Sequence, residues 1–296
     1  LLTAAFAVSV GSALTPLGNP QNLLISISSG LSAPLLTFLR YLLQPIGAGL
    51  LLGGLYLRRV FRKDLAPANA ALERARGPPV SLLPHGGWER RLVHYPVLAI
   101  FPATIVVLLG LDLSTEFLGI PNVAVWIPAV AGAVLLFAIS PGRGAIARSI
   151  DLRILTLFAG LFVVVAGALS AGVIALIESG LPIVGPSQAT YGILGIAGTS
   201  VLGSQLFSNV PWVGLQIPVL AHLGYNGSTP LGWIALAAGS TLAGNVTLLG
   251  AASNLIMVER AEERGVHIGL GEFVRHALPL AALTLAFVVV ALLVGL

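Results

Sequence analysis

The chain has 296 residues, of which 56% are apolar and only 9% are charged, and its mean hydropathy is +0.97. Soluble domains carry about 25% charged residues, so this composition excludes a water-soluble globular domain and indicates a protein whose solvent is lipid. The net charge of +4 suits basic cytoplasmic loops better than nucleic-acid binding. The absence of cysteine excludes disulfides, thiolate metal sites and cysteine catalysis.

The first part of the chain predicts a helix that is broken inside the membrane, followed by a span. The end of an apolar helix is expected at residues 1–11, a polar break at 12–22 and a short apolar helix at 23–29. An amphipathic helix at 32–43 and a span at 45–57 follow. The chain starts with Leu1 and shows no signal peptide. We therefore expect an N-terminally truncated sequence, in which residues 1–57 are the end of a first repeat.

Residues 58–91 are the long hydrophilic stretch of the chain and hold eight of its Lys and Arg residues. We interpret this stretch as a cytoplasmic linker between two halves, the second being residues 92–296. Spans are expected at residues 93–111, 120–139 and 154–177, with a basic loop at 141–153. A hairpin at 191–223, a discontinuous helix at about 231–265, an amphipathic segment at 268–277 and a last span at 279–296 follow.

The distribution of basic residues tests this topology, because cytoplasmic loops carry an excess of Lys and Arg. With residues 191–223 as a re-entrant hairpin, all of the 15 Lys and Arg residues except Arg40 fall on the inner side. Treating residues 191–223 as one simple span would place Arg260 and Arg264 outside. The charge pattern therefore favours the hairpin.

Two segments share the pattern Thr-x-Leu-Gly-x-x-x-Asn-Leu, one beginning at Thr15 and the other at Thr247. Each follows a short apolar helix, and each precedes an amphipathic piece and then a span. Under the topology above the two copies run in opposite directions through the membrane. The sequence therefore predicts two inverted repeats, the plan of many secondary transporters.

Both copies, and the segment Ser208–Pro211, interrupt apolar helices with Gly, Pro, Asn, Ser and Thr. Unpaired backbone groups are costly in lipid, so a break there survives only where protein, water or a ligand satisfies them. Freed carbonyls can bind a cation such as Na⁺, and freed N–H groups can hold an anion. The alternative is that these side chains make only interhelical hydrogen bonds. The candidate binding residues are Thr15, Gly18, Asn19, Asn22, Ser208, Asn209, Gly244, Asn245, Thr247, Gly250, Ser253 and Asn254.

These segments, with the run Phe158–Val165, resemble the ion transporter superfamily, which includes citrate transporter-like proteins, arsenite permease-like proteins and divalent anion:sodium symporters. The resemblance implies an all-α polytopic membrane protein with two inverted repeats, discontinuous helices and a re-entrant hairpin, the first repeat being incomplete. It also implies one ion site at Ser208, Asn209 and the 244–254 break, with Na⁺ expected at Ser208, Asn209 and Gly250. The Thr15–Asn22 break would form half of a second site.

The resulting hypothesis is a secondary active transporter of an inorganic or carboxylate anion, coupled to a cation, in a prokaryotic plasma membrane. Na⁺ as coupling ion is the sole cofactor expected, nucleic acid is not a partner, and a homodimer follows from the resemblance. The alternatives are a sodium/proton antiporter or an arsenite-type permease of the same fold. An intramembrane enzyme and a channel are less favoured alternatives. No Asp or Glu falls deep in an expected span, which disfavours the antiporter. No convergent His, Asp or Ser constellation is found at membrane depth, so an enzyme is not expected. No phosphate-binding loop occurs, so the energy would come from an ion gradient.

Overall fold

The structure is a computed structural model that describes residues 2–62, 88–121, 123–140, 143–149, 152–247 and 269–295, with single positions 254, 258 and 262. Over these residues the secondary structure is helical without a strand, as an all-α membrane protein requires. The helices are α1 Leu2–Ser12, α2 Pro20–Ser28, α3 Pro34–Val60, α4 Trp88–Leu118, α5 Trp126–Ile139, α6 Arg143–Ser149, α7 Leu152–Ser170, α8 Val173–Gly180, α9 Ala189–Phe207, α10 Asn209–His222, α11 Pro230–Ala243 and α12 Leu270–Val294.

Three helices of the described ranges are long and apolar enough to cross a membrane: α3, the Ala99–Leu118 part of α4, and α12. The span expected at residues 154–177 is not one straight helix. It is divided into α7 and α8, which are bent by 75°. Gly172, at the bend, has a φ of 83°, a left-handed conformation that Gly adopts without steric cost and that interrupts the helix.

The long helices α3 and α12 correct another expectation. From the sequence, residues 32–57 and 268–296 were each expected to form an amphipathic segment and then a separate span, because each stretch contains a proline between the two. In the structure each is one continuous helix that runs through its proline, Pro45 in α3 and Pro279 in α12. A proline inside a helix removes one hydrogen bond and kinks the helix, but packing against neighbours holds the helix together.

Helix α11 forms the centre of the molecule. Every residue from Gly232 to Ala243 is buried, and α11 packs against α1, α2, α3, α9, α10 and α12. A helix that is apolar on all sides is stable only inside a protein or a bilayer. The C-terminal end of α11, at Ala243, therefore lies within the protein.

Helices α3 and α12 pack tightly against each other, with Gly49 of α3 directly against the side chain of Thr284. Helices α4 and α5 lie outside this pair and leave much of their apolar surface uncovered. Phe117 of α4 is 77% exposed, and α5 has no buried residue. Such continuous apolar surface is stable against lipid and unfavourable in water.

One acidic side chain is buried in this outer layer. Asp112 of α4 is only 2% exposed, and its Oδ2 accepts a hydrogen bond of 2.9 Å from the backbone N–H of Leu36. The carboxylate thus caps the N-terminus of α3, where the helix dipole favours negative charge. The span expected at residues 93–111 is longer in the structure, since α4 continues to Leu118.

Candidate functional site

The first break lies between α1 and α2, at residues 13–19. Asn19 is the N-cap of α2, and its Oδ1 accepts from the backbone N–H of Asn22 at 2.8 Å. Pro20 follows at the first helical position, where the missing N–H costs nothing. The loop folds back so closely on α1 that a Cβ at Gly18 would overlap the carbonyl oxygen of Ser12. Only glycine fits at this position without a shift of the backbone.

The side chain of Asn22 holds this break together. Its Nδ2 donates to the carbonyl oxygens of Ser12 and Thr15, both at 3.2 Å, which are ten and seven residues earlier in the chain. Asn22 is fully buried. The amide therefore binds the carbonyl of Ser12, which has no intrahelical partner at the end of α1, and the carbonyl of Thr15 within the break.

Thr241 of α11 joins the first break to the centre of the molecule. Its Oγ1 accepts from Asn19 Nδ2 at 3.1 Å and donates to Asn22 Oδ1 at 3.2 Å. Both bonds connect residues more than 200 positions apart in the sequence. Thr241 lies just before the second break. The structure thus brings the two predicted breaks together at one place.

The second break follows α11 and contains the same hydrogen bonds at equivalent positions. Asn254 Nδ2 donates to the carbonyl oxygens of Gly244 at 2.7 Å and Thr247 at 3.4 Å, again ten and seven residues earlier. The turns match as well. Bonds from Asn245 N to Leu242 O and from Val246 N to Ala243 O correspond to Ala13 N to Val10 O and Leu14 N to Gly11 O.

The hairpin formed by α9 and α10 contacts this second break through Gln205, in the last turn of α9. Gln205 Nε2 donates to the carbonyl oxygen of Ala243 at 2.6 Å, and Gln205 Oε1 accepts from Thr247 Oγ1 at 2.8 Å. Neither Gln205 nor Thr241 is among the candidate residues predicted from the sequence. The signal that could have indicated Gln205 is a polar amide near the end of a mainly apolar helix, three residues before the hairpin turn.

The turn of the hairpin is a single residue, Ser208, with φ 67° and ψ 162°. Among the described residues it is the one non-glycine with positive φ, and this conformation costs about 1–3 kcal/mol outside glycine. Asn209 then starts α10 and is buried. Trp212 stacks on Phe207 with ring centroids 6.0 Å apart, and its indole covers Gly203. These contacts hold the turn in its strained form.

Several buried polar atoms near the second break have no hydrogen-bond partner among the residues that the structure describes. They include Asn209 Oδ1, Asn254 Oδ1 and both amide atoms of Asn245. Buried polar groups are almost always satisfied, so these atoms are candidates to bind a ligand or an ordered water. Asn245 lines a small cavity with Phe6, Leu57 and His276, among others.

The predicted site residues divide into three groups. Thr15, Gly18, Asn19 and Asn22 form the first break, while Gly244, Asn245, Thr247 and Asn254 form the second. Ser208 and Asn209 form the hairpin turn. Gly250 and Ser253 lie outside the described residues, as do the expected linker residues 63–87 and most of the segment 248–268.

Long apolar helices around paired polar breaks are the arrangement of many polytopic membrane transporters. The comparison with known families agrees, since residues 1–239 match the citrate transporter family. The match covers more than half of the chain, and the chain belongs to this family. The expected relationship to citrate transporter-like proteins is thereby confirmed, and so is the expectation that the family consists of transporters rather than enzymes.

Individual relatives extend over nearly the whole chain. An uncharacterized transporter of Mycobacterium bovis is 28% identical over 292 residues, which are 97% of this chain and 65% of the relative. The 46 kDa membrane protein of Mycobacterium leprae is 25% identical over 293 residues, with the same two shares. The silicon efflux transporter of Oryza sativa subsp. japonica is 27% identical over 310 residues, 88% of this chain and 62% of the relative.

The chain thus spans slightly less than two thirds of the length of these relatives. No solved structure matches it.

Proposed function

We propose that this protein is a secondary active transporter that moves a small anion or oxyanion across the membrane together with Na⁺, and that Na⁺ binds at the second break. The observation that carries the proposal is the direction of the hydrogen bonds there. At Asn254 and Thr247 the side-chain donors are used within the protein, and acceptor oxygens remain.

At the second break, the two N–H groups of Asn254 Nδ2 are directed at carbonyls of Gly244 and Thr247. Because a carbonyl oxygen can only accept, the side-chain oxygen of Asn254 must be the atom left over. The hydroxyl of Thr247 has one hydrogen, which it donates to Gln205. Asn254 Oδ1 and the lone pairs of Thr247 Oγ1 are therefore available to a cation, and the C-terminal end of α11 adds a partial negative charge.

The first break differs in this respect. Asn19 Oδ1 already accepts from Asn22 N, and Asn22 Oδ1 accepts from the hydroxyl of Thr241. Both amide oxygens are engaged, so the side chains satisfy one another. This contrast favours a cation site at the second break and a mainly structural role for the side chains of the first.

The matching hydrogen bonds of the two breaks support the inverted-repeat hypothesis. A chance similarity in sequence would not place asparagine side chains on carbonyls at the same two spacings in both segments. Duplicated halves with broken helices are the arrangement that allows a site to face each side of the membrane in turn. Coupled transport requires such alternation.

Charge balance favours an anion as the co-transported solute. Na⁺ at the second break supplies a positive charge, and the first N–H groups of α10, at Asn209 and Val210, have no partner within the helix. A helix N-terminus beside a bound cation is a good site for a carboxylate or an oxyanion. The family is named for citrate transport, which agrees with this chemistry.

A neutral hydroxylated solute is the second candidate. The rice relative is named for silicon efflux. Among the described residues, no Lys or Arg donates a hydrogen bond to either break. A neutral acid such as silicic or arsenous acid needs no counter-charge, so this environment would accept it.

Flux through proteoliposomes containing the full-length protein distinguishes these candidates. The panel is citrate, succinate, sulfate, phosphate, arsenite and silicic acid, each with and without a Na⁺ gradient. We expect one anion to be accumulated only with the Na⁺ gradient. Flux of the neutral acids alone, unaffected by Na⁺, would instead support the second candidate.

The substitution Asn254→Ala tests the location of the site. It removes the free Oδ1 and both bonds to the break, so we expect Na⁺-driven uptake to fall at least tenfold, a change of about 1.4 kcal/mol or more. Asn226→Ala is the matched control, because Asn226 lies in an exposed loop and its side chain bonds only within that loop. Uptake by Asn254→Ala at the wild-type rate would defeat the assignment.

A further inference from the structure

Gln205 occupies a position that connects the hairpin to the second break by two short hydrogen bonds. Its Nε2 lies 2.6 Å from the carbonyl oxygen of Ala243, the last residue of α11, and its Oε1 lies 2.8 Å from Thr247 Oγ1. The two bonded residues belong to the broken segment, while Gln205 belongs to α9. The amide therefore joins the end of α9, which packs along α11, to the break that follows α11.

The chemistry of the partners determines the orientation of this amide. The carbonyl of Ala243 has no hydrogen to give, so the group that faces it must be the NH₂ of Gln205. The opposite end, Oε1, then faces Thr247 and accepts its hydroxyl hydrogen. Thr247 Oγ1 has two lone pairs and a single hydrogen. With the hydrogen directed at Gln205, the hydroxyl can bind another ligand only through oxygen.

We propose that Gln205 is a positioning residue that makes Thr247 a cation ligand, by holding its hydroxyl hydrogen away from the site. This inference rests on the proposed function, because it assigns part of the Na⁺ affinity of that same break to a residue outside it. Without Gln205 the hydroxyl can rotate and present its hydrogen, which repels a cation. The site then loses affinity for Na⁺ without losing an atom that contacts the ion.

A second glutamine of the hairpin provides the control. Gln216 of α10 is fully buried, donates to Thr199 Oγ1 at 2.9 Å and accepts from Ser200 Oγ at 3.0 Å. It has the same side chain and also bonds hydroxyl groups, yet its partners are within the hairpin. Gln216→Leu therefore reports the loss of a buried glutamine without any change at the break.

The experiment measures Na⁺ binding to the purified full-length protein by the rise of its unfolding temperature with NaCl, at constant ionic strength with choline chloride. The same variants are then assayed in proteoliposomes for the Na⁺ concentration at half-maximal uptake and for the maximal rate. For Gln205→Leu we expect the half-saturating Na⁺ concentration to rise about tenfold, with a smaller effect on the maximal rate. Gln216→Leu should lower the unfolding temperature and leave the half-saturating concentration unchanged.

Two further variants test the mechanism. Gln205→Glu keeps an acceptor for Thr247 but loses the donor to the carbonyl of Ala243, so it should bind Na⁺ better than Gln205→Leu while lowering the unfolding temperature. Adding Gln205→Leu to Thr247→Val should change little beyond Thr247→Val alone, since the two residues act through one hydroxyl. If the Na⁺ dependence of uptake were unchanged in Gln205→Leu but shifted in Thr247→Val, the role of Gln205 would be overturned and the Na⁺ site would not. No Na⁺ dependence in the wild type would instead overturn the proposed function.

Discussion

At the scale of single residues, Gly18 has the least freedom of the candidate site. A Cβ at this position would overlap the backbone carbonyl of Ser12, and backbone cannot move aside as a flexible side chain can. We expect Gly18→Ala to destabilise the protein by about 1–3 kcal/mol, as other overpacked positions do. The unfolding temperature in detergent measures the effect.

Gly47→Ala is the control for this prediction. Gly47 lies in α3, and a Cβ there would meet nothing within 4 Å. Ala is preferred over Gly inside a helix by up to about 1 kcal/mol, so this variant should be neutral or stabilising. If Gly18→Ala proved as stable as Gly47→Ala, the close approach of the break to α1 would be contradicted.

Sequence could predict some residues of the two breaks and not others, for a physical reason. Asn22 and Asn254 were predictable because polar side chains within apolar segments are costly in lipid and stand out. Thr241 and Gln205 became apparent only from the structure. Their partners lie 222 and 38 residues away in sequence, and hydropathy contains no information about which helices meet.

At the scale of elements, the connection between the first break and α11 depends on one hydroxyl. Thr241→Val keeps the shape of the side chain and removes both hydrogen bonds, the one accepted from Asn19 Nδ2 and the one donated to Asn22 Oδ1. The buried oxygen of Asn22 is then unpaired, which costs about 1–3 kcal/mol. We expect a lower unfolding temperature and slower uptake.

The neighbouring Ser240 supplies the comparison. It is equally buried, but its hydroxyl bonds only to Ala237 of the same helix. Ser240→Ala should have a smaller effect than Thr241→Val on both measurements. Equal effects would mean that Thr241 does not connect the two breaks.

Element boundaries were predicted well where composition changes sharply and poorly where it does not. The discontinuous helix was expected to begin at about residue 231, and its first part, α11, is Pro230–Ala243, since Pro begins it and Gly follows it. The helix boundaries expected at Pro45 and Pro279 were wrong, because α3 and α12 continue past these prolines and neighbouring helices stabilise them there. Sequence alone does not reveal that tertiary support.

At the scale of the whole molecule, the structure separates a polar interior from an apolar exterior. Asparagine, glutamine and threonine side chains meet around the end of α11, whereas α4 and α5 present large exposed apolar residues. This is the distribution expected for a protein in lipid with a solute site inside. Composition alone predicted the exterior, and the repeat predicted which segments would form the interior.

The side of the membrane on which each loop lies stays a prediction. It follows from the placement of all Lys and Arg residues but Arg40 on one side. Labelling of single cysteines with a membrane-impermeant reagent tests it directly, since the chain has no native cysteine. A cysteine in the loop at residues 224–229 should react from outside, and one in the expected linker 58–91 only after permeabilisation.

Direct binding of radiolabelled Na⁺ to the purified full-length protein tests the central claim, that acceptor oxygens of the second break hold a cation. We predict saturable binding that unlabelled Na⁺ displaces, that Asn254→Ala abolishes and that Thr241→Val retains. No saturable Na⁺ binding by the wild type, or full binding by Asn254→Ala, would contradict the account.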